Sequence, residues 1–344
     1  MLEQGALDAA KDIYFHGKHA VIMSDNQKEP LSLRTLATSS KRRQYIPTFP
    51  EFSEYFGGND NYADGEIVKL FDEFSSFLGS PKQYRTVIVK TLQYQVTFMA
   101  ALQRIYQAIE YCKSNTQAQS LQALATWDVG AALMIGSMKK SKEFVEANHN
   151  DGYMLFGLGE DLCHEFNTCY QGSAAASSNL KILDALYSGS FELEQRSCGS
   201  VSTVAHRIES QLLVPLIQGT LYTAYMNKQP DFDRDQDKSF AAGYIYSRSI
   251  LPYIQQKDSR SGEIISKNMN FQFIQEAVVD GYTAVFDSIA GVLNKLDLDI
   301  TCEDIGFMTK ANRGVCSGNT PSSSSSRMKV SVSIAVILVT LFTF

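Results

Sequence analysis

The chain has 344 residues, is 44% hydrophobic and 20% charged, and carries a formal net charge of −6. A chain of that length buries a substantial core, as one large domain or two coupled halves, and the composition is ordinary for a globular protein. The negative balance excludes the basic stripe of a nucleic-acid binder; Lys41-Arg42-Arg43 is the one basic cluster of note and reads as a solvated loop.

Taken in order, residues 7–20 predict a helical opening broken at Gly17, with His16 and His19 as a solvated pair beside Lys18. Residues 39–65 read as irregular, punctuated by Pro47, Pro50, Gly57, Gly58 and Gly65 and rich in aromatic and acidic side chains. Loops carry function more often than core elements, which singles out Tyr62 and Asp64. A short helix over 66–77 ends at Gly79-Ser80-Pro81. Residues 82–129 hold neither glycine nor proline, and Ile88, Leu92, Val96, Phe98, Leu102, Ile105 and Ile109 draw one apolar stripe to Cys112. A second helix is predicted over 119–138, with the single tryptophan, Trp127. Residues 139–178 read as a loop-rich connection between halves, and 179–188 as a short helix leading to Cys198.

Residues 204–254 predict two helices joined by an acidic loop at 231–237. Ile208, Leu212 and Leu216 form one i, i+4 row, and Leu213, Ile217, Leu221 and Tyr225 the row beside it, so this helix lies in a core. Pro215 and Gly219 inside it predict a kink. Phe240, Tyr244, Leu251 and Ile254 line the second helix. From Phe271 to Leu296, apolar residues step by three and four, predicting one long amphipathic helix. Shifted by 119 residues, the earlier hairpin aligns Leu102 with Leu221, Tyr106 with Tyr225 and Ala123 with Ala242, a thin sign of internal duplication. The fold expected is all-α: two packed helical halves, about 1–150 and 179–306, stapled by disulfides.

Six cysteines suit three disulfides in an oxidising compartment, among fifteen possible connectivities. Cys163 and Cys169 are close enough to bridge a short loop, as are Cys302 and Cys316. Residues 307–329 read as a Ser-rich polar spacer, and 330–344 as an apolar tail with nothing charged after it. Small residues around Gly318, a spacer and a tail match a glycolipid-anchor signal; a transmembrane tail is the alternative, although 15 residues at about 1.5 Å each fall short of about 30 Å of hydrocarbon. Residues 1–8 have no secretory character, so the expectation is a cell-surface protein whose leader lies upstream or whose sequence begins at an internal methionine; a cytosolic protein with a fortuitous tail is the other option.

Nucleophile-elbow, phosphate-loop and zinc-protease patterns are absent, and a non-enzyme is expected. Cys163-His164 is better explained by a disulfide than by a dyad. Counted from Asp231, the acidic loop puts Gln236 and Ala242 where a calcium loop needs Gly and Glu. Carboxylates and phenols on helical faces remain: Tyr106 with Glu110 at i, i+4, and Asp128 after Trp127. Such hard oxygens suit a hard cation, ferric iron among them.

Several stretches resemble the algal iron-assimilation proteins, or phytotransferrins. Trp127-Asp-Val-Gly-Ala-Ala-Leu-Met-Ile-Gly-Ser137 looks like the family's W-D-E-G-V-A-F-Y-T-G-S. Val214-Pro-Leu-Ile-Gln-Gly-Thr-Leu-Tyr-Thr-Ala-Tyr225 is similar to V-P-L-I-Q-G-T-L-R-Y-A-Y; the 156–169 cysteine pair, Ile300-Thr-Cys-Glu-Asp-Ile-Gly306 and Tyr62-Ala-Asp64 add to it. The resemblance implies ferric iron capture at the cell surface with carbonate as synergistic anion, followed by internalisation. Asp128, Glu110, Tyr62, Asp64 and Tyr225 are the ligands expected on it. Val129, Met134, Asp161-Leu162 and Tyr222 depart from the family's Glu, Tyr, basic pair and Arg, removing possible ligands and anion anchors. A surface interaction or adhesion protein on the same scaffold is the competing expectation.

Overall fold

The computed structural model describes residues 4–18, 21–24, 27–72, 79–114, 116–136, 155–173, 175–229, 236–270 and 278–316. The anchor tail, most of the acidic loop and residues 137–154 lie outside these. Helix α1 (Gln4–His16) stops at Gly17, whose φ of +70° suits glycine, and a hairpin of β1 (Val21–Ser24) and β2 (Gln27–Pro30) follows. Helix α2 (Leu33–Ala37) comes next, and the stretch expected to be irregular, 39–65, holds two short helices, α3 (Arg42–Tyr45) and α4 (Phe49–Tyr55), and the start of α5 (Tyr62–Asp72). Pro50 stands in the first turn of α4, where its missing N–H is not needed, so it starts a helix instead of breaking one.

Helix α6 (Pro81–Thr91) begins on a reciprocal cap between Ser80 and Gln83 and runs through a π-helical turn at Leu92–Thr97 into α7 (Phe98–Lys113). Helix α8 (Gln117–Ile135) packs on α7. Next come α9 (Leu155–Phe166), inside the stretch expected to be loop-rich, and α10 (Ser177–Glu194), longer than the expected 179–188. Gly189 of α10 lets the ring of Trp127 lie against its backbone: a Cβ there would sit 2.0 Å from Trp127 Cζ2. The indole Nε1 donates to the Leu186 carbonyl at 3.0 Å.

Helix α11 (Cys198–Met226) is the axis of the fold. Every residue from Ile208 to Leu221 is buried, so it is enclosed on all sides, as its two adjacent apolar rows predict. It runs through Pro215 as one helix of 29 residues. Several of its polar residues bond across the core: Gln218 donates to Thr168 Oγ1 and the Ile305 carbonyl, and Gln211 Nε2 to the Asp299 carbonyl. Helix α12 (Gln236–Lys257) packs on α11, α6 and α4, and α13 (Ser259–Met269) packs on α12.

The long helix expected over 271–296 is not formed as such. Val278 and Gly281 have positive φ, the turn between them is held by Asp280 and Asn268, and α14 covers only Tyr282–Leu293. Residues 271–277 lie outside the described residues, and Val278 is buried although it stands in the turn. Helix α15 (Cys302–Ile305) and a short hairpin, β3 (Phe307–Met308) with β4 (Arg313–Gly314), end the described chain.

The described chain is thus all-α apart from two small hairpins. One continuous hydrophobic core runs from Leu7 to Val315 and draws on both predicted halves. Three disulfides staple it: Cys163–Cys169 and Cys302–Cys316, as the short spacings suggest, and Cys112–Cys198, which ties α7 to the start of α11. Among the described residues no helix is long and apolar enough to cross a membrane.

A buried carboxylate and its hydroxyl donors

Glu209 sits one turn before Leu213 in the i, i+4 row that continues to Ile217 and Leu221, so the helix carries it into the core, where it is fully buried. Three hydroxyls from three other elements converge on it. Tyr106 of α7 donates to Oε2 at 2.5 Å; Tyr253 of α12 and Thr48, before α4, donate to Oε1 at 2.8 and 2.5 Å. Thr48 is the N-cap residue of α4, yet its hydroxyl makes no capping bond and serves Glu209 instead. Among the described residues no lysine, arginine or histidine pairs with this carboxylate.

Burial first, and then the Glu209 charge and its hydrogen bonds, hold the Tyr106 and Tyr253 phenols far above the usual tyrosine range. The phenols therefore stay protonated and donating until something displaces the protons.

Outside α4, a pocket of about 760 Å³ is lined by Glu51, Glu54 and Tyr55 of α4, Pro252 and Gln255 of α12, and Glu263 and Lys267 of α13. Burial pushes the Glu51 carboxyl up to about 7, Lys257 opposing and Glu209, Asp297 and Glu54 adding. Helix α4 is common to both: Glu51 faces the pocket, and Thr48 at the start of the same helix bonds Glu209. The cluster offers oxygen alone: a carboxylate, two phenols and a hydroxyl. That donor set fits a hard cation and not a soft one.

The five ligands expected from sequence do not gather. Tyr62 is buried, its ring stacked on Phe56 with centroids 4.1 Å apart and also on Phe52 at 6.0 Å. Asp64 accepts from the Tyr14 hydroxyl at 2.7 Å and from Arg34 Nε at 3.1 Å. Glu110 is exposed and paired with Lys113 at 2.7 Å. Tyr225 donates to the Lys310 carbonyl at 2.8 Å and meets Tyr282 edge-on. Asp128 is exposed on α8, with its carboxyl pushed up by partial desolvation, while its neighbour Trp127 is buried. Among the described residues, the one group of three His, Cys, Asp or Glu side chains near enough to share an ion is Cys163, His164 and Cys169. There the sulfurs are joined in a disulfide and offer no thiolate.

Glu209, Tyr253, Thr48 and Arg42 were not singled out by sequence. Glu209 left a readable sign: a carboxylate standing in line with an unbroken apolar row. Arg42 left none. Its neighbours Lys41 and Arg43 are exposed, as a solvated loop requires, but Arg42 itself is 1% exposed because α3 turns it beneath the surface.

Comparison with protein-family models, with curated proteins and with solved structures gives no match.

Proposed function

We propose that the chain captures ferric iron outside the cell as cargo, with Glu209, Tyr106 and Tyr253 as the ligating groups and Thr48 beside them. One observation carries the reading: Glu209 is fully buried, has no cationic partner among the described residues, and faces two phenols. A buried carboxylate without a cation is costly. A ferric ion that displaced the two phenolic protons would meet three negative charges, equal to its own three positive ones. Support also comes from the sequence stretches similar to phytotransferrins, on which carbonate would accompany the metal and a glycolipid anchor would hold the protein at the membrane. The three disulfides suit an extracytoplasmic protein. Because binding releases phenolic protons, affinity falls as pH falls.

The test is a titration of folded, oxidised protein with chelated ferric iron, with and without bicarbonate, followed in the visible region for a tyrosinate-to-iron band. One equivalent bound, with the band weakened in Tyr106→Phe and lost when Tyr253→Phe is added, supports the assignment. Binding unchanged in those variants but lost in Asp128→Ala moves the site to α8. No binding above background refutes iron capture.

A second reading, a surface interaction or adhesion protein, draws on a different observation. Leu121 and Val129 of α8 and Tyr187 and Phe191 of α10 are exposed on two helices that pack together. Apolar side chains grouped on a surface mark contact sites more often than isolated ones do.

A further inference from the structure

Two arginines near Tyr62 are neutralised: Arg248 lies over Phe56, which stacks on Tyr62, and Arg34 holds Asp64, two residues along the helix. Arg34 pairs with Asp64 at 3.1 Å, and Arg248 with Glu66 at 3.2 Å. Arg42 is different. It is 1% exposed, and no carboxylate among the described residues pairs with it. Its Nη1 donates to the Ala37 carbonyl at 3.0 Å, while Nε and Nη2 are solvent-inaccessible and have no hydrogen-bond partner among the described residues. Those two nitrogens form the edge of the guanidinium whose N–H bonds run parallel, the edge that grips a carboxylate, carbonate or phosphate with two bonds at once. The Tyr62 hydroxyl is also buried and unpartnered. Arg43, adjacent to Arg42, pairs with Asp60 at 3.1 Å, which brings α3 beside the start of α5, where Tyr62 stands two residues further on. Burial raises the Tyr62 phenol and keeps it a donor, with the Arg42 guanidinium opposing that rise. An arginine does not escape burial by shedding its proton, so the charge needs a counterpart.

We propose that Arg42 and Tyr62 form a buried site for one small oxyanion, gripped on two oxygens by Nε and Nη2 of Arg42 and bonded by the Tyr62 hydroxyl. Phe52 stands between this site and the Glu209 cluster, its ring 6.0 Å from Tyr62 and 5.2 Å from Tyr253. The site therefore does not depend on the iron reading and is tested without metal. In this role Tyr62 is an anion donor and not a metal phenolate.

Full-length, oxidised, metal-free protein is desalted into a chloride buffer and divided. One portion is unfolded and the released anions are quantified by ion chromatography. The other is melted with bicarbonate, phosphate, sulfate or acetate added at constant ionic strength, which identifies the anion accepted. About one equivalent released per chain, or a saturable rise in Tm above the chloride control, is expected. Tyr62→Phe keeps the aromatic stack and should weaken the anion roughly tenfold, the loss of one charge-assisted hydrogen bond. Arg42→Gln should abolish its effect. Neither release nor a Tm rise in the parent protein overturns the proposal. So does an anion effect that Tyr62→Phe leaves unchanged, a result that holds even if Arg42→Gln fails to fold.

Discussion

Replacing Glu209 with leucine tests whether its hydroxyl network organises the core. The substitution keeps an apolar side chain of comparable length on α11 but strands the hydroxyls of Tyr106 and Tyr253, both buried. Each orphaned hydroxyl costs about 1–3 kcal/mol. Thr48 is only half-buried and can turn to water, so it adds little. Leucine also removes the cost of a buried carboxylate without a cation, which offsets part of the loss. The expected net is a destabilisation of about 1–4 kcal/mol. It is read from the midpoint of guanidinium chloride unfolding of the oxidised protein, at unchanged slope. Adding Tyr106→Phe to Glu209→Leu should recover stability, because the phenylalanine removes a donor that no longer has an acceptor. The pair should couple by about 0.5–3 kcal/mol. A neutral or stabilising Glu209→Leu, or strict additivity with Tyr106→Phe, would refute the network as the organiser of this core.

Loop length ranks the disulfides: breaking Cys112–Cys198, Cys302–Cys316 and Cys163–Cys169, separated by 86, 14 and 6 residues, should cost about 5, 3 and 2 kcal/mol in that order. Paired serine substitutions and chemical unfolding check the ranking, and thiol labelling of the denatured, unreduced parent should find no free cysteine. The Glu51 carboxyl keeps its proton in the folded state up to about pH 7, whereas in the unfolded chain it ionises near 4.5. Its presence therefore penalises folding above pH 7, and the penalty fades as pH falls through that window. Glu51→Gln should raise Tm at pH 8 and make no difference at pH 4.5; an equal gain at both would refute the assignment. Gly189→Ala drives a methyl into Trp127, the only tryptophan, and should cost about 1–3 kcal/mol with a red shift of its fluorescence as the indole leaves its buried site.

What the sequence determined by itself is periodicity and spacing. The two rows from Ile208 to Leu221 state that α11 is enclosed, and it is. The glycine- and proline-free run after Lys82 states that α6, the π turn and α7 form one path, and they do. Cysteines 6 and 14 residues apart can close short loops, and both pairs do. Local rules failed where one residue changes the backbone without changing the pattern. Gly281 and Val278 interrupt a stripe whose buried side still matches a helix, and Pro50 begins a helix where a proline-glycine count reads as loop.

The tertiary structure alone decided which polar side chains meet. Tyr106, Tyr253, Thr48 and Glu209 lie on four separate elements, and no spacing along the chain relates them. The same holds for burial within a charged run: Lys41, Arg42 and Arg43 are chemically alike, and only the turn of α3 beneath the surface makes the middle one an interior charge. A helix's own sequence sets which face is apolar, but the group standing opposite a given carboxylate or guanidinium is set by packing between helices far apart in the chain. Sites made of such pairs become visible only when those helices are brought together.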